Sequence, residues 1–281
     1  MTDKTPAVKF TIVVENTVGR PLPLLGEHGF ACLVDCTAGR LLFDTGQGQA
    51  LLHNLAVLDI DAASIDAVIL SHGHYDHSGG LLPLLQQIGP RPVYAHPEIF
   101  GERYFMKGDE LRAIGIANSR QELEAAGARF RLIEDCSELA HDLWFSGFIP
   151  RNNSSEHGDP ALVIPSDKGW KTDPFADDAA VAVMTGHGLV VLLGCAHAGL
   201  INTVEHFKTQ LRVTQVHAII GGTHLGPVAE AQYSATETYL KDHSDLRICV
   251  GHCTGQIRAA RLYSRFPDRV SFVAAGTTFE F

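Results

Sequence analysis

Between residues 71 and 77 the chain reads Ser-His-Gly-His-Tyr-Asp-His, directly behind a short apolar run at 67–70. No other feature narrows the fold as much. Four side chains able to bind a metal, His72, His74, Asp76 and His77, fall within six consecutive positions. His72 and His74 stand two apart, so on extended backbone they project to the same side and can grip one ion. Asp76 and His77 lie past a turn and can reach a second ion a few ångströms away, the arrangement of two-metal hydrolases. Gly73, Gly79 and Gly80 supply the tight turns such a loop needs. Three further histidines repeat the placement: His197 after an apolar run at 190–194, His224 after 216–222 and His252 after 247–251. Each is flanked by glycine or small residues. Catalytic groups of α/β folds gather past strand ends, where a rigid sheet holds several loops in register. The chain carries fifteen histidines in 281 residues, more than chance would place there.

Apolar patterning predicts the strands that these loops require. Strands are expected at 8–15, 30–35, 40–43, 67–70 and 92–95, with helices at 49–58 and 81–88. From 96 to 179 the pattern loosens to a helix at 120–126, strands at 129–133 and 141–145, and a polar stretch at 150–178. A stretch that long suits a functional flap better than plain connection. Periodicity then returns, with strands at 180–184, 189–193, 216–220 and 247–250 and helices at 201–211, 229–241 and 256–266. A terminal pair of strands is expected at 270–274 and 277–281. Both halves run from strands into helix–strand units. That match predicts an α/β chain, a four-layer αββα sandwich of two face-to-face sheets with helices outside. It is expected to be one domain over 1–281, with 96–179 contributing a wall or lid of the substrate pocket.

Composition excludes several functions. Hydrophobic residues make up 45% and charged residues 19%, which fits a globular chain and not a disordered one. A chain of this size buries about three-quarters of its surface, so it folds without disulfides or a structural metal. The formal net charge of −10 argues against nucleic acid as a partner. No apolar run approaches the roughly 18 residues of a membrane span, and 1–10 lack the pattern of a signal peptide. The expected location is cytoplasmic, and the expected partner is a small molecule, with no nucleic acid and no membrane. A homo-oligomer is compatible with these features. The six cysteines form no Cys-x-x-Cys pair and read as buried free thiols.

Ser-His-Gly-His-Tyr-Asp-His (71–77), Phe-Asp-Thr-Gly (43–46), Gly-Cys-Ala-His-Ala-Gly (194–199) and His-Cys-Thr-Gly (252–255) follow one another in a known order. By these motifs the chain resembles the metallo-β-lactamase superfamily over essentially its whole length, least in the middle. Glu27-His28-Gly29, Ile149-Pro150-Arg151, Asp177-Asp178 and Gly221-Gly222-Thr223-His224-Leu225 resemble one branch of it. That branch is labelled 7,8-dihydropterin-6-yl-methyl-4-(β-D-ribofuranosyl)aminobenzene 5′-phosphate synthase. The resemblance implies the αββα fold and a metal-dependent hydrolase. It implies His72, His74 and His197 on a first ion and Asp76, His77 and His252 on a second. Asp44 would support the histidine loop from behind, as carboxylates commonly do for metal-bound imidazoles. Two divalent ions are expected, zinc foremost, with iron, manganese or nickel also suited to these donors. His28 is expected in a substrate-covering loop, and Arg151 in either a phosphate contact or a surface ion pair. Asp177 and Asp178 are expected either near substrate or capping the strand that follows. Cys195 and Cys253, close to ligand positions, are expected to support the site rather than bind metal.

One departure shapes the expected function. The superfamily commonly places a carboxylate between its metals, at the end of the strand that here runs into Gly221-Gly222-Thr223-His224. No Asp or Glu stands there. Two divalent ions with one aspartate and one hydroxide leave about +2, which should draw an anionic substrate such as a phosphate ester. His224, the nearest polar group, is expected either as an extra ligand or as a substrate-facing acid. Asp76 is expected to orient the hydroxide nucleophile held on metal, or to shuttle a proton. A thioesterase or lactonase of the glyoxalase II type shares the motif but usually keeps the bridging aspartate. A binding or sensing protein with an intact metal site is the non-catalytic alternative.

Overall fold

Two seven-stranded sheets and one four-stranded sheet make up the computed structural model, which describes residues 7–281. Residues 1–6, on which the reading of the N-terminus partly rests, lie outside the described residues. The first large sheet runs, in spatial order, Thr278–Glu280, Lys9–Val14, Ala31–Cys36, Gly39–Phe43, Ala67–Ile69, Arg91–Ala95 and Ala128–Leu132. The second runs Val270–Phe272, Arg247–Gly251, Val216–Gly222, Gly188–Leu193, Ala180–Thr185, Leu143–Phe145 and Ser137–Ala140. Within each, four neighbouring strands pair parallel, the last four named in the first sheet and the first four in the second, so their C-terminal ends share one edge.

Side-chain alternation explains the layering. Along Lys9–Val14, Phe10 and Ile12 face the opposing sheet, while Val13 faces the helices. Along Gly188–Leu193, Val190 and Leu192 face inward and Val191 outward. Strand geometry puts successive residues on opposite faces, so a continuous apolar run is what a strand covered on both sides requires. Phe10, Phe43 and Ile69 meet Phe145, Val181 and Ile220 in the central core. Leu51–Val57, Leu81–Ile88 and Arg120–Ala125 cover the first sheet; Leu200–Leu211, Glu230–Asp242 and Gln256–Arg265 cover the second. The result is the expected αββα sandwich. No helix among the described residues is long and apolar enough to cross a membrane, and all six cysteines are free.

Three expectations need correction. The polar stretch 150–178 is not irregular throughout: Leu162–Ser166 and Gly169–Thr172 form a hairpin there. That hairpin pairs with a second one, Tyr104–Lys107 and Glu110–Ala113, to make the small third sheet. Most residues of these strands are exposed or half-buried, so they lack the apolar run that marks the core strands. The strand expected at 141–145 begins only at Leu143, because Asp142 turns the chain at a φ of 64°. The two terminal strands do not pair with each other. Val270–Phe272 closes the second sheet and Thr278–Glu280 the first.

Candidate metal centre

The histidine loops meet where the parallel strands end. Asp44 follows Gly39–Phe43, His72 follows Ala67–Ile69, His197 follows Gly188–Leu193, His224 follows Val216–Gly222, and His252 directly follows Arg247–Gly251. The sandwich brings the edges of both sheets together there. His72, His74 and His197 place one ring nitrogen each within 4.8 Å of one another. In the second group, His77 Nε2 lies 3.1 Å from His252 Nε2, and Asp76 Oδ2 lies 3.8 and 3.5 Å from those two nitrogens.

The surroundings dictate which nitrogens are bare. Asp44, fully buried, accepts from the Ser71 amide at Oδ1 and from both the Ser71 hydroxyl and His77 Nδ1 at Oδ2, each at 2.7 Å. The Ser71 hydroxyl has spent its one proton on Asp44, so it accepts at 2.8 Å from His72 Nδ1. Asn16 Oδ1, which also receives the Gly29 amide, accepts from His252 Nδ1 at 3.0 Å. His72 and His252 therefore each turn an unprotonated Nε2 inward, and His77, its Nδ1 held by Asp44, turns its Nε2 toward the same space. His72 Nε2 faces His74 Nδ1 at 3.0 Å, and His77 Nε2 faces His252 Nε2. Facing lone pairs at that distance repel unless a proton or cation lies between them. Two nitrogens on one tetrahedral zinc stand about 3.3 Å apart. Both ring nitrogens of His197 are buried without a hydrogen-bond partner. Burial, reinforced by repulsion from neighbouring rings, pushes His72, His74, His197 and His252 well below the ordinary histidine value, leaving them neutral. Burial also opposes charge on His77, yet Asp44 and Asp76 overcome it and lift that ring to about 9. His77 is thus the ring at which a proton competes with a cation. These donors fit a divalent metal.

Behind the ligand loops stands a set of buried carboxylates. Asp177 Oδ2 accepts from the Gly73 amide at 2.7 Å, while its Oδ1 meets Arg103 Nη2 at 2.6 Å. Asp178 Oδ2 accepts from the Ala198 amide at 2.7 Å. The pair preceding Ala180–Thr185 therefore holds residues 72–74 and 196–198 in place, and burial raises Asp177 to about 6 and Asp178 to about 7. Glu15 Oε1 accepts from the His252 amide at 2.6 Å. Phe175 stacks on His197, centroids 4.0 Å apart and planes within 5°. Glu15, Asn16, Arg103 and Phe175 escape a reading by motif. Only Glu15, a carboxylate ending an apolar strand, carries a local signal.

A cavity of about 170 Å³ opens onto the centre, lined by His74, Asp76, His197, His224 and His252 at its floor and by His28, Tyr75, Phe105, Arg112, Asp159 and Leu162 around it. His28 stands at the rim, half-exposed, with Nε2 3.2 Å from Asp76 Oδ2. Arg151 is not among the lining residues; its Nε and Nη2 donate to the Pro174 carbonyl. His224 adopts a φ of 49° and brings its ring centroid 4.2 Å from that of His197, with Nε2 3.8 Å from Asp159 Oδ2. Burial would depress this ring, but Asp159 and Cys253 lift it to about 9. A larger depression of about 420 Å³, containing His187, His217 and His243, lies at the opposite, N-terminal ends of the second sheet's strands. It holds none of the unpartnered buried nitrogens.

Comparison with known proteins agrees with this geometry. A protein of Methanocaldococcus jannaschii named 7,8-dihydropterin-6-methyl-4-(beta-D-ribofuranosyl)-aminobenzene-5'-phosphate synthase is 29% identical over 289 residues, covering 99% of this chain and 98% of its own. Among solved structures, Tm1679, described as a metal-dependent hydrolase of the beta-lactamase superfamily, superposes with a TM-score of 0.79 at 23% identity, covering 98% of this chain and 99% of that one. Zn(2+)-bound PqqB from Methylobacterium extorquens gives 0.58 at 12% identity, covering 97% and 100%. The family model for the metallo-beta-lactamase superfamily matches residues 26–204. With its sandwich, its strand-end histidines and that match, the chain belongs to the metallo-beta-lactamase superfamily.

Proposed function

We propose that this protein is a metal-dependent hydrolase of a small anionic substrate, of the phosphate-ester kind. The observation that carries the reading is the convergence of two donor groups, His72–His74–His197 and Asp76–His77–His252, with inward nitrogens left bare by the network behind them. Two divalent ions, zinc foremost, would bring the pKa of a bound water to about 7 and polarise the bond under attack. The remaining work falls to side chains. Asp76, with Oδ2 aimed into the second group, orients the nucleophile and can take its proton. His224, across the floor beside His197, is placed to protonate the leaving group, with Asp159 behind it. Arg112, exposed at the mouth over the Phe105 ring, and His28 at the rim present cationic or polar groups to an anion. Tyr75, Phe105 and Leu162 offer an apolar wall to the rest of the molecule. The name of the M. jannaschii relative, a synthase of a 5'-phosphate, supports a phosphate-bearing molecule.

The test is metal analysis followed by a panel of chromogenic phosphodiester, phosphomonoester, thioester and lactone substrates. Metal-dependent turnover of a phosphate ester supports the proposal. Preference for a thioester or lactone would replace it with the glyoxalase II type, and a fully loaded protein inert on all four would favour a binding or sensing role.

A further inference from the structure

We propose that the sulfur of Cys195 is itself a metal ligand, reaching both donor groups and supplying the negative charge that the strand end lacks. This rests on reading the site as a metal centre. Cys195 is buried, with Sγ 3.2 Å from the inward Nε2 of His77. The same sulfur lies within 4.8 Å of a ring nitrogen of His72, of His197 and of His252. His72 and His197 belong to one group and His77 and His252 to the other, so one atom reaches donors of both. Sulfur and nitrogen on one tetrahedral zinc stand about 3.6 Å apart, given bonds of about 2.3 and 2.05 Å.

The backbone explains why a sulfur would be needed. At Gly221, with a φ of 123°, a Cβ would come 2.0 Å from the carbonyl oxygen of Leu193. At Gly222 it would come 2.4 Å from the Gly194 oxygen and 2.6 Å from Cys253 Sγ. Neither position accepts a side chain, so a bridging carboxylate cannot stand at Gly221 or Gly222. Without Cys195, Asp76 is the only anionic donor in the two groups. Divalent metal strips the proton from a coordinating thiol: the S–H bond breaks, sulfur keeps the electron pair, and the proton passes to water. Thiolate also favours zinc over the harder ions manganese and magnesium. Cys253 is the natural rival. Its Sγ clusters with Cys195 and His252 but with no donor of the first group; it accepts the His224 amide at 3.2 Å and points to the Cys195 carbonyl at 3.6 Å.

The full chain, reduced and reconstituted with cobalt(II), tests this. A thiolate-to-cobalt charge-transfer band in the near ultraviolet is expected in the wild type and in Cys253→Ser, and should disappear in Cys195→Ser. Zinc affinity of Cys195→Ser should fall by more than the roughly 10–100-fold that loss of an outer partner costs. Should that variant fail to fold, zinc–sulfur scattering in the X-ray absorption of Cys253→Ser decides, since Cys195 is then the only thiol clustered with the histidine donors. A wild type that binds cobalt without the band overturns the Cys195 assignment while leaving the histidine centre standing. So does a band that survives Cys195→Ser or vanishes with Cys253→Ser. A chain that binds no cobalt at all overturns the metal centre and the assignment together.

Discussion

At the scale of single residues, the centre is built by hydrogen bonds that decide where each ring keeps its proton. Asp44 governs two of them, His77 directly and His72 through Ser71. Replacing it by asparagine, as Asp44→Asn, puts an amide donor where acceptors are needed. Metal affinity should fall about 10–100-fold, read by competition with a chromophoric chelator. His72→Ala and Asp76→Ala remove donors outright; each should lose bound metal and hydrolysis together, with the circular dichroism of the folded chain retained. An unfolded variant would make the site structural, and full metal content would discredit the ligand assignment. His224→Asn distinguishes the two roles open to that ring. As a substrate group it should keep its metals and lose about 10²–10⁴-fold in turnover. As a ligand it should release one.

Elements enter through the way a loop residue fastens a helix. Glu156, distant in sequence, accepts the amides of Ile201 and Asn202 at 2.8 Å, at the first turn of Leu200–Leu211. Gly199, at a φ of 106°, leaves room for it: a Cβ there would come 2.1 Å from Glu156 Oε2. The contact links residues 150–178 to the helix that follows His197. Burial outweighs those amide bonds and raises Glu156 from 4.5 to about 7. The unfolded chain releases this proton near 4.5, whereas the folded chain holds it to about 7. The unfolded state therefore binds fewer protons in that window, and the Glu156 contribution to stability declines as pH rises from about 4.5 to about 7. From pH 5 to pH 8, the stability of Glu156→Gln in denaturant unfolding should fall less, or rise more, than that of the wild type. An unchanged difference would assign the slope to other groups.

Across the whole molecule, the core between the sheets and the candidate metal centre at their edge should contribute to stability separately. Phe145, fully buried, packs among residues of both sheets. Phe145→Ala should cost about 3–5 kcal/mol in denaturant unfolding, because a cavity there cannot collapse between two rigid sheets. Removing metal should behave differently. A chelator should lower the melting temperature through lost ligand binding, yet leave the secondary structure intact, since each sheet is covered on both faces without any ion. A chelator-treated chain that loses its circular dichroism would show the centre to be part of the fold's foundation.

Some of this was legible in the chain itself. Residues 71–77, the three strand-end histidines and the apolar runs before them are local patterns, and a strand covered on both faces or an amphipathic helix writes its period into consecutive residues. Helix Leu81–Ile88 matches its expected bounds, and the other main helices agree with theirs to within two residues. The third sheet was not legible, because its mostly exposed strands have no apolar face to display. Nor was the parting of the two terminal strands, since pairing partners are chosen by the packed sheets. The companions of the ligands were equally hidden. Asn16 and Glu15 act on His252 from 236 and 237 residues away. Arg151, read from a motif, is drawn off to a backbone carbonyl, while Phe175, in no motif, lies flat on His197. Residue type and spacing determined which side chains could bind a metal. Tertiary structure alone decided which nitrogens stay bare and which sulfur stands among them, because hydrogen-bond partners and excluded volume are set by distant segments meeting in space.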